Sequence, residues 1–322
     1  MKTELLSIVF YNVENFYSKI TNPEESFLPN NFNKWLEGRY QNKLDKISFA
    51  LSQIKNKSDQ NLPIFIGLAE VENLDVLTDL AQHQNLIEGN YEPLLIESLD
   101  ERKINVGCLY RKDYLKIIEY KPIRIVFKDK DGSKSYTRDI LSVKADLKGE
   151  IVYFFVLHLP SKIDTEINQI KRQIILEKLR NHINEITADN KDAYIVIMGD
   201  FNDTPTADNI RESLDTRAIV NEVNSKELYN PMVNLMSYKR GSLIFKKQWM
   251  LFDQMLFNKT FLTEKNKIKQ IKTDIFDEPF LTTNINKMGA LPFRTFLGTQ
   301  YVGGFSDHFP IYSLISVKFV ES

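Results

Sequence analysis

The chain has 322 residues, 43% hydrophobic and 26% charged, an ordinary balance for a soluble globular protein that excludes a long disordered or low-complexity chain. Its formal charge of -1 gives no global attraction to nucleic acid or membrane, and its one cysteine, Cys108, excludes an internal disulfide framework. No stretch is long and apolar enough for a membrane span, and Glu4 interrupts the N-terminal apolar run; a cytoplasmic monomer without integral membrane association is the default expectation, with a mature secreted form equally compatible.

In chain order, strand-like runs rich in aromatic and β-branched residues fall at 5–11, 64–69, 106–110, 140–143, 151–157, 194–198, 250–257 and 311–317. Leu44, Ile47, Leu51 and Ile54 recur at three- and four-residue steps and predict an amphipathic helix. After Asp164 or Thr165 as N-cap, Ile167, Ile170, Ile174, Leu179, Ile183 and Ile186 predict a second helix whose stripe faces the core. Strands outnumber helices, and long crossovers alternate with hairpin-length turns at 128–134 and 146–150. That mixture points to a mixed-sheet layered α/β architecture. No linker or repeat divides the chain, so 1–322 reads as one domain. Cys108 is expected in the core, and the Asn- and Pro-rich stretch 16–40, with Phe27, Phe32 and Trp35, reads as a loop. Its aromatics, with Phe293, Phe296 and Tyr301, either stack on bases or lipid or pin the loop.

The apolar runs empty into polar residues. Asn12 follows the first, Glu70 the second, His158 ends "YFFVLH", Asp200 and Asn202 follow "YIVIMG", Asp253 lies inside "WMLFDQMLF", and Asp307 and His308 precede the last strand. Burial penalises each of these without a partner, so a shared pocket is the economical reading. Glu70 and Asp307, with the amide oxygen of Asn12, are hard oxygen donors suited to magnesium or manganese. Such an ion polarises a phosphoryl oxygen and neutralises charge in an in-line displacement. Asp200 and Asn202 share a face if the chain stays extended, one to align a water and the other to steady the phosphate. His308, oriented by an adjacent Asp253, and His158, protonating the leaving oxygen, complete an acid–base set.

The segments "FYNVEN", "GLAEVEN", "HLPSK", "GDFNDTP", "FDQMLF" and "SDH", in this order over residues 8–318, resemble the endonuclease/exonuclease/phosphatase superfamily. The resemblance implies a four-layer α-β-β-α sandwich, two mixed β-sheets packed face to face with flanking helices, and a magnesium site at one edge. It also implies the roles argued above for Asn12, Glu70, His158, Asp200, Asn202, Asp253, Asp307 and His308. Arg138, in "RDIL", is similar to a phosphate-gripping arginine of these enzymes, and Lys162 and Arg172 are looser candidates for the same task. The tail 292–308 is similar to uncharacterised bacterial members. Asn105 stands where bacterial relatives usually carry an Asp beside the first histidine, leaving Asp100 and Glu101 as substitute supports for His158.

The implied function is a divalent-metal-dependent phosphoric ester hydrolase, foremost a phosphodiesterase or nuclease acting on nucleic acid. A phosphomonoesterase or lipid phosphodiesterase of the inositol phosphate or sphingomyelin type is the alternative, and a catalytically inactive binding module is another. His83 and His182 read as ordinary surface histidines without carboxylate company, Glu14 and Glu72 as structural, and the basic run 265–272 as a solvated face.

Overall fold

Tyr194–Asp200 is a strand buried along its whole length, and its alternation explains why. Tyr194, Val196 and Met198 join one apolar cluster, whereas Ile195 and Ile197 join a second. The neighbouring strand Glu150–His158 divides likewise, with Val152, Phe154 and Val156 in the first cluster and Tyr153, Phe155 and Leu157 in the second. Side chains of period two serve two different cores, so both faces must be covered and the run reads as continuously apolar.

The computed structural model describes residues 2–19, 35, 37–100, 102–128, 131–162, 165–284 and 290–319. The expected cap Asp164, the loop aromatics Phe27 and Phe32, and Glu101 lie outside them. In chain order the strands of the two large sheets are β1 (Lys2–Phe16), β2 (Phe65–Val71), β3 (Tyr91–Leu95), β4 (Asn105–Arg111), β5 (Leu115–Ile123), β6 (Ile140–Leu147), β7 (Glu150–His158), β8 (Tyr194–Asp200), β9 (Thr216–Arg217), β10 (Leu228–Tyr229), β11 (Asp253–Asn258), β12 (Ile268–Ile275) and β13 (Ile311–Phe319). One sheet runs β12-β13-β1-β2-β4-β3 and the other β9-β10-β11-β8-β7-β6-β5. Both are mixed: β1 pairs parallel with β2 and antiparallel with β13, and β8 pairs parallel with β7 and antiparallel with β11. The sheets meet face to face, and Phe65 on β2 stacks on Phe154 on β7 with ring centroids 4.0 Å apart.

Helices α1 (Glu37–Gln53) and α2 (Leu74–Gln82) cover the first sheet, burying Leu44, Ile47, Leu51, Val76, Leu77 and Leu80. Helices α3 (Thr165–Asp189) and α4 (Asp208–Ser213) cover the second. The expected four-layer α-β-β-α sandwich is therefore present. The turn at 146–150 is a two-residue hairpin with Lys148 and Gly149 at φ 53° and 90°, the left-handed pair such turns require.

The expected stripe of α3 needs correction. Ile167, Ile170 and Ile174 are 57%, 59% and 40% exposed, while Ile175, Leu176, Leu179, Ile183 and Ile186 are buried. From Ile174 to Leu179 is a five-residue step, and at 3.6 residues per turn it leaves the two halves on different faces. Trp35, Phe293, Phe296 and Tyr301 settle their alternative: Trp35 is buried against Phe296, Tyr301 packs on Phe296, and Phe293 on Phe305, so these rings pin the chain. Cys108 is buried, and burial pushes its thiol well above the ordinary range.

Candidate active site

Three adjacent strands deliver three polar side chains in one row. Asp200, the last residue of β8, lies directly opposite His158 on β7 and Asp253 on β11, and residues opposite one another share a face. Gly199 permits the close approach: a Cβ there would sit 2.2 Å from the Leu157 carbonyl oxygen. The first sheet contributes where its regular pairing fails. Register shifts fall between Asn12 and Phe16 on β1 and between Ala69 and Val71 on β2, and Glu14, Asn15 and Glu70 take φ of 51°, 49° and 66°. Such bulges re-aim side chains beside functional sites. Glu70 is the residue left out of the β2 register, and its Oε2 accepts the Asn15 N–H at 2.8 Å. The remaining pair arrives just before β13, where the Ser306 hydroxyl donates to the Asn12 carbonyl at 2.6 Å and accepts the His308 N–H at 3.1 Å.

The result is a contiguous chain of groups. His158 Nε2 lies 3.9 Å from Glu70 Oε1 and 3.6 Å from Asp200 Oδ2. His308 Nε2 lies 3.9 Å from the same Asp200 oxygen and 4.0 Å from Asp307 Oδ1. Its Nδ1 is hydrogen-bonded to Asp253 Oδ2 at 2.7 Å. Asn12 Nδ2 donates to Asp200 Oδ2 at 3.1 Å. The Asn202 N–H donates to Asp200 Oδ1 at 2.8 Å. The chain does not stay extended there: Asn202 has φ 48° and sends its Nδ2 to the Leu159 carbonyl, so it shares no strand face with Asp200.

Burial sets the protonation states. It works against the His308 cation, but the carboxylates of Asp253, Asp307 and Asp200 outweigh it and hold the imidazole well above its ordinary pKa. His158 has no carboxylate in hydrogen-bonding contact as His308 has in Asp253. Burial, with Arg138, Arg102 and His308 adding to it, holds His158 well below its ordinary value, and its Nδ1 has no hydrogen-bond partner among the described residues. Burial and the neighbouring Asp253 push Asp200 up to about 7, against the opposing pull of His308, the Asn202 N–H and Asn12. These surroundings favour the neutral ring of His158 and so lend no support to the leaving-group role expected of it.

Two oxygen-rich sets suit a divalent cation. Donor atoms of Asp200, Asp253 and His308 lie within 4.8 Å of one another, but His308 already uses Nδ1 on Asp253, and imidazole is a soft choice for magnesium. The Asn12, Glu70 and Asp307 set offers oxygen donors alone: the Glu70 and Asp307 side chains are 12% and 33% exposed, and Asp307 accepts no hydrogen bond among the described residues. Free carboxylate oxygens beside solvent match a hard ion that keeps part of its water shell. The Asn12 Oδ1 does accept the Glu14 N–H at 3.1 Å, leaving one lone pair for such an ion.

The three expected phosphate grips are engaged within the protein: Arg138 and Arg172 are buried, and Lys162 is part-exposed but paired. Arg138 donates to the carbonyls of His158 and Leu159, each at 3.1 Å, and pairs with Asp100 at 3.5 Å. Arg172 donates to the carbonyls of Pro160 and Ser161 and pairs with Asp203, and Lys162 pairs with Asp203 at 2.6 Å. A buried guanidinium must find acceptors, and here they brace the chain leaving β7. Two part-exposed cations do stand beside the site: Arg102, with Nη2 3.0 Å from Asn15 Oδ1 and 3.8 Å from Glu70 Oε1, and Arg294, with Nη2 4.0 Å from Asp307 Oδ2. Nothing in "LDERK" distinguished Arg102 from any charged loop. Asn105 does not reach His158 either; it binds Ser98 and the Glu72 carbonyl. His83 and His182 stand outside this chain of groups, though each meets a carboxylate, Asp45 at 2.9 Å and Glu185 at 3.5 Å.

Behind the site two buried charged side chains, Lys43 and Glu14, lie close enough to attract one another and both bond Thr295, with no signal in the sequence beyond one lysine on a helix. Lys43 Nζ donates to Thr295 Oγ1 at 2.5 Å and to the Phe305 carbonyl at 2.6 Å, and the Glu14 carboxylate accepts the Thr295 N–H at 2.6 Å. Lys43→Met would leave Thr295 Oγ1 and the Phe305 carbonyl buried without their donor and Glu14 without a nearby cation; a loss of about 1–3 kcal/mol in denaturant unfolding is the expected result. An unchanged midpoint would refute that account.

The fold and this site place the protein in a class: the chain belongs to the endonuclease/exonuclease/phosphatase family, which it matches over residues 7–317. Members of this family are phosphoester hydrolases. No curated protein sequence matches the chain. Among solved structures it is similar to an endonuclease/exonuclease/phosphatase family protein from Bacteroides thetaiotaomicron, at 14% identity and TM-score 0.61, covering 99% of this chain and 100% of that one. It is also similar to D. rerio TDP2 complexed with single strand DNA product (14%, TM-score 0.54, 97% and 98%) and to a mannosyl-6-phosphatase of Bacteroides thetaiotaomicron (14%, TM-score 0.56, 96% and 99%). At such identity these likenesses speak for the fold alone.

Proposed function

We propose that the protein is a divalent-metal-dependent phosphodiesterase that cuts nucleic acid by in-line attack of an activated water. The observation that carries this reading is the sharing of one carboxylate oxygen, Asp200 Oδ2, by His158, His308 and Asn12, with Glu70 and Asp307 at the two ends of the chain. Asn12, Glu70 and Asp307 would hold magnesium or manganese, which supplies charge neutralisation on the phosphoryl oxygens. Asp200, pushed up to about 7, is matched to taking a proton from water near neutral pH. Asp253 fixes the His308 tautomer, and His308 holds a proton at Nε2 toward the developing charge. Neutral His158 offers a hydrogen bond without competing for that proton. Asn202 anchors the loop after Asp200. Arg102 is a cation positioned to meet a substrate phosphate.

A substrate panel tests this: bis-p-nitrophenyl phosphate, DNA and RNA, each with magnesium and with manganese. Turnover of none of them by folded wild-type chain would remove the proposal, and faster release of phosphate from a monoester would shift it to a phosphatase. Glu70→Ala should raise the metal concentration needed for half-maximal rate at least tenfold. The sphingomyelinase-type alternative calls for an apolar hairpin to insert into lipid, and the hairpin that bridges to His308 is tipped instead by Lys246 and Lys247.

A further inference from the structure

Beside the site stands a segment whose charge differs sharply from that of the whole protein. Residues 236–250 contain Lys239, Arg240, Lys246 and Lys247 and no carboxylate, in a chain of formal charge -1. Leu243–Phe245 and Gln248–Met250 form a hairpin, and Lys246 and Lys247, at φ 48° and 64°, are its exposed two-residue tip. The hairpin is fastened to the catalytic row at its base. Leu243 bridges to His308, the Ser242 carbonyl accepts the Phe309 N–H at 2.7 Å, and Trp249 stacks on Phe309 at 6.1 Å.

Of the four cations in this segment one is neutralised by carboxylates. Arg240 is spent on Asp274 and Asp277. Lys239, Lys246 and Lys247 have no carboxylate partner among the described residues; Lys239 and Lys246 lie 5.4 Å from the rings of Tyr238 and Phe245. The basic run 265–272 is the contrast: three of its four lysines, Lys267, Lys269 and Lys272, pair with Glu150, Glu264 and Asp274, so it is a largely neutralised face. Tyr238, 84% exposed, presents an aromatic ring to solvent next to these lysines.

We propose that this lip, Tyr238–Lys239 together with the Lys246–Lys247 hairpin tip, is a docking surface for single-stranded nucleic acid entering the site. The inference rests on the phosphodiesterase reading and names its substrate as a strand with unpaired bases. Unpaired lysines track a phosphate backbone, and an exposed tyrosine face takes a base only when that base is unstacked from a partner strand. A duplex would hide that base face, and the near-neutral whole offers little further attraction to its phosphates.

The test is fluorescence anisotropy of the full chain, in chelator, with a labelled oligothymidylate of about ten nucleotides, a matched duplex and anionic phospholipid vesicles. Turnover of bis-p-nitrophenyl phosphate with magnesium is followed in parallel. Wild type should bind the strand more tightly than either competitor. Lys246→Gln/Lys247→Gln should weaken strand binding about tenfold and flatten the salt slope by about 1.4, two contacts at about 0.7 each. Tyr238→Ala should cost about tenfold and Tyr238→Trp should restore it, with small-substrate turnover unchanged in all. Variants that bind like wild type, or tighter wild-type binding to duplex or vesicles, would overturn the proposal. Strand binding through the lip by a chain that hydrolyses nothing would support the lip and remove the hydrolase reading. Hydrolysis of the small diester without strand binding would do the reverse.

Discussion

Asp253→Asn is expected to lower phosphodiester turnover by about 10³- to 10⁴-fold, the scale seen when a carboxylate supporting a catalytic imidazole becomes an amide. Asp253 is fully buried and its Oδ2 sits 2.7 Å from His308 Nδ1. Burial alone would drive the His308 cation out, and the three carboxylates around it reverse that outcome, Asp253 first among them. With Asn in its place the largest opposing attraction disappears, so the imidazole pKa should drop toward or below its ordinary value of about 6.5. Linkage gives the sign for stability. A histidine raised by folding contributes fully below its unfolded pKa and loses that contribution as pH rises through its higher folded value. The variant should therefore lose more stability at pH 5 than at high pH. Ring titration by NMR and steady-state rates on the same samples check both halves; a variant with wild-type turnover would remove Asp253 and His308 from the chemistry.

The residues of the site were legible because the chemistry is written at the ends of apolar strands, and register then does the assembling. His158 and Asp200 end neighbouring parallel strands and so lie side by side, but Asp253, read inside 250–257, is in fact the first residue of an antiparallel strand and meets Asp200 only through that register. What spacing does not carry is the partner. Arg138, Lys162 and Arg172 have the side chains of phosphate grips, yet carbonyls and Asp203 claim them. Arg102 is chemically no different and stays half exposed. The protonation states of the two histidines are likewise a property of what surrounds each ring after folding.

The helix error has the same root. A period can be counted along α3, but the phase change between Ile174 and Leu179 matters only because the sheet is flat against one side of the helix. Lys43 shows the limit most plainly. A lysine on an amphipathic helix is ordinarily a solvent residue, and its full burial becomes intelligible only with Glu14, displaced by the β1 bulge, and the Thr295 and Phe305 backbone beside it. The basic residues of 236–250 and of 265–272 look alike as text. Glu150, distant in sequence, and the neighbouring Glu264 and Asp274 neutralise most of one group, while three lysines of the other find no carboxylate among the described residues.

Asp200→Asn should separate function from stability. With its folded pKa at about 7 against about 3.9 unfolded, holding the ionised form costs the metal-free fold on the order of 4 kcal/mol. The folded value is the higher one, so this contribution is complete below about pH 4 and is lost as pH rises through about 7. An amide carries no such cost. In chelator at pH 8 the variant should melt a few degrees above wild type, less whatever is lost with the Asn12 hydrogen bond and the attraction to His308. Glu14, also pushed up to about 7 by burial and Asp307, acts in the same window in both proteins, and buried neutral His158 acts in the opposite sense at acid pH. The difference between wild type and variant is therefore the clean measure. Turnover should fall at least 10³-fold, because neither a base nor the shared oxygen remains. Magnesium should stabilise wild type more than the variant, since a cation relieves carboxylate repulsion that the variant has already lost. A variant that melts lower than wild type at pH 8 in chelator would mean that Asp200 is ionised at little cost, and its assignment as the base would go with it.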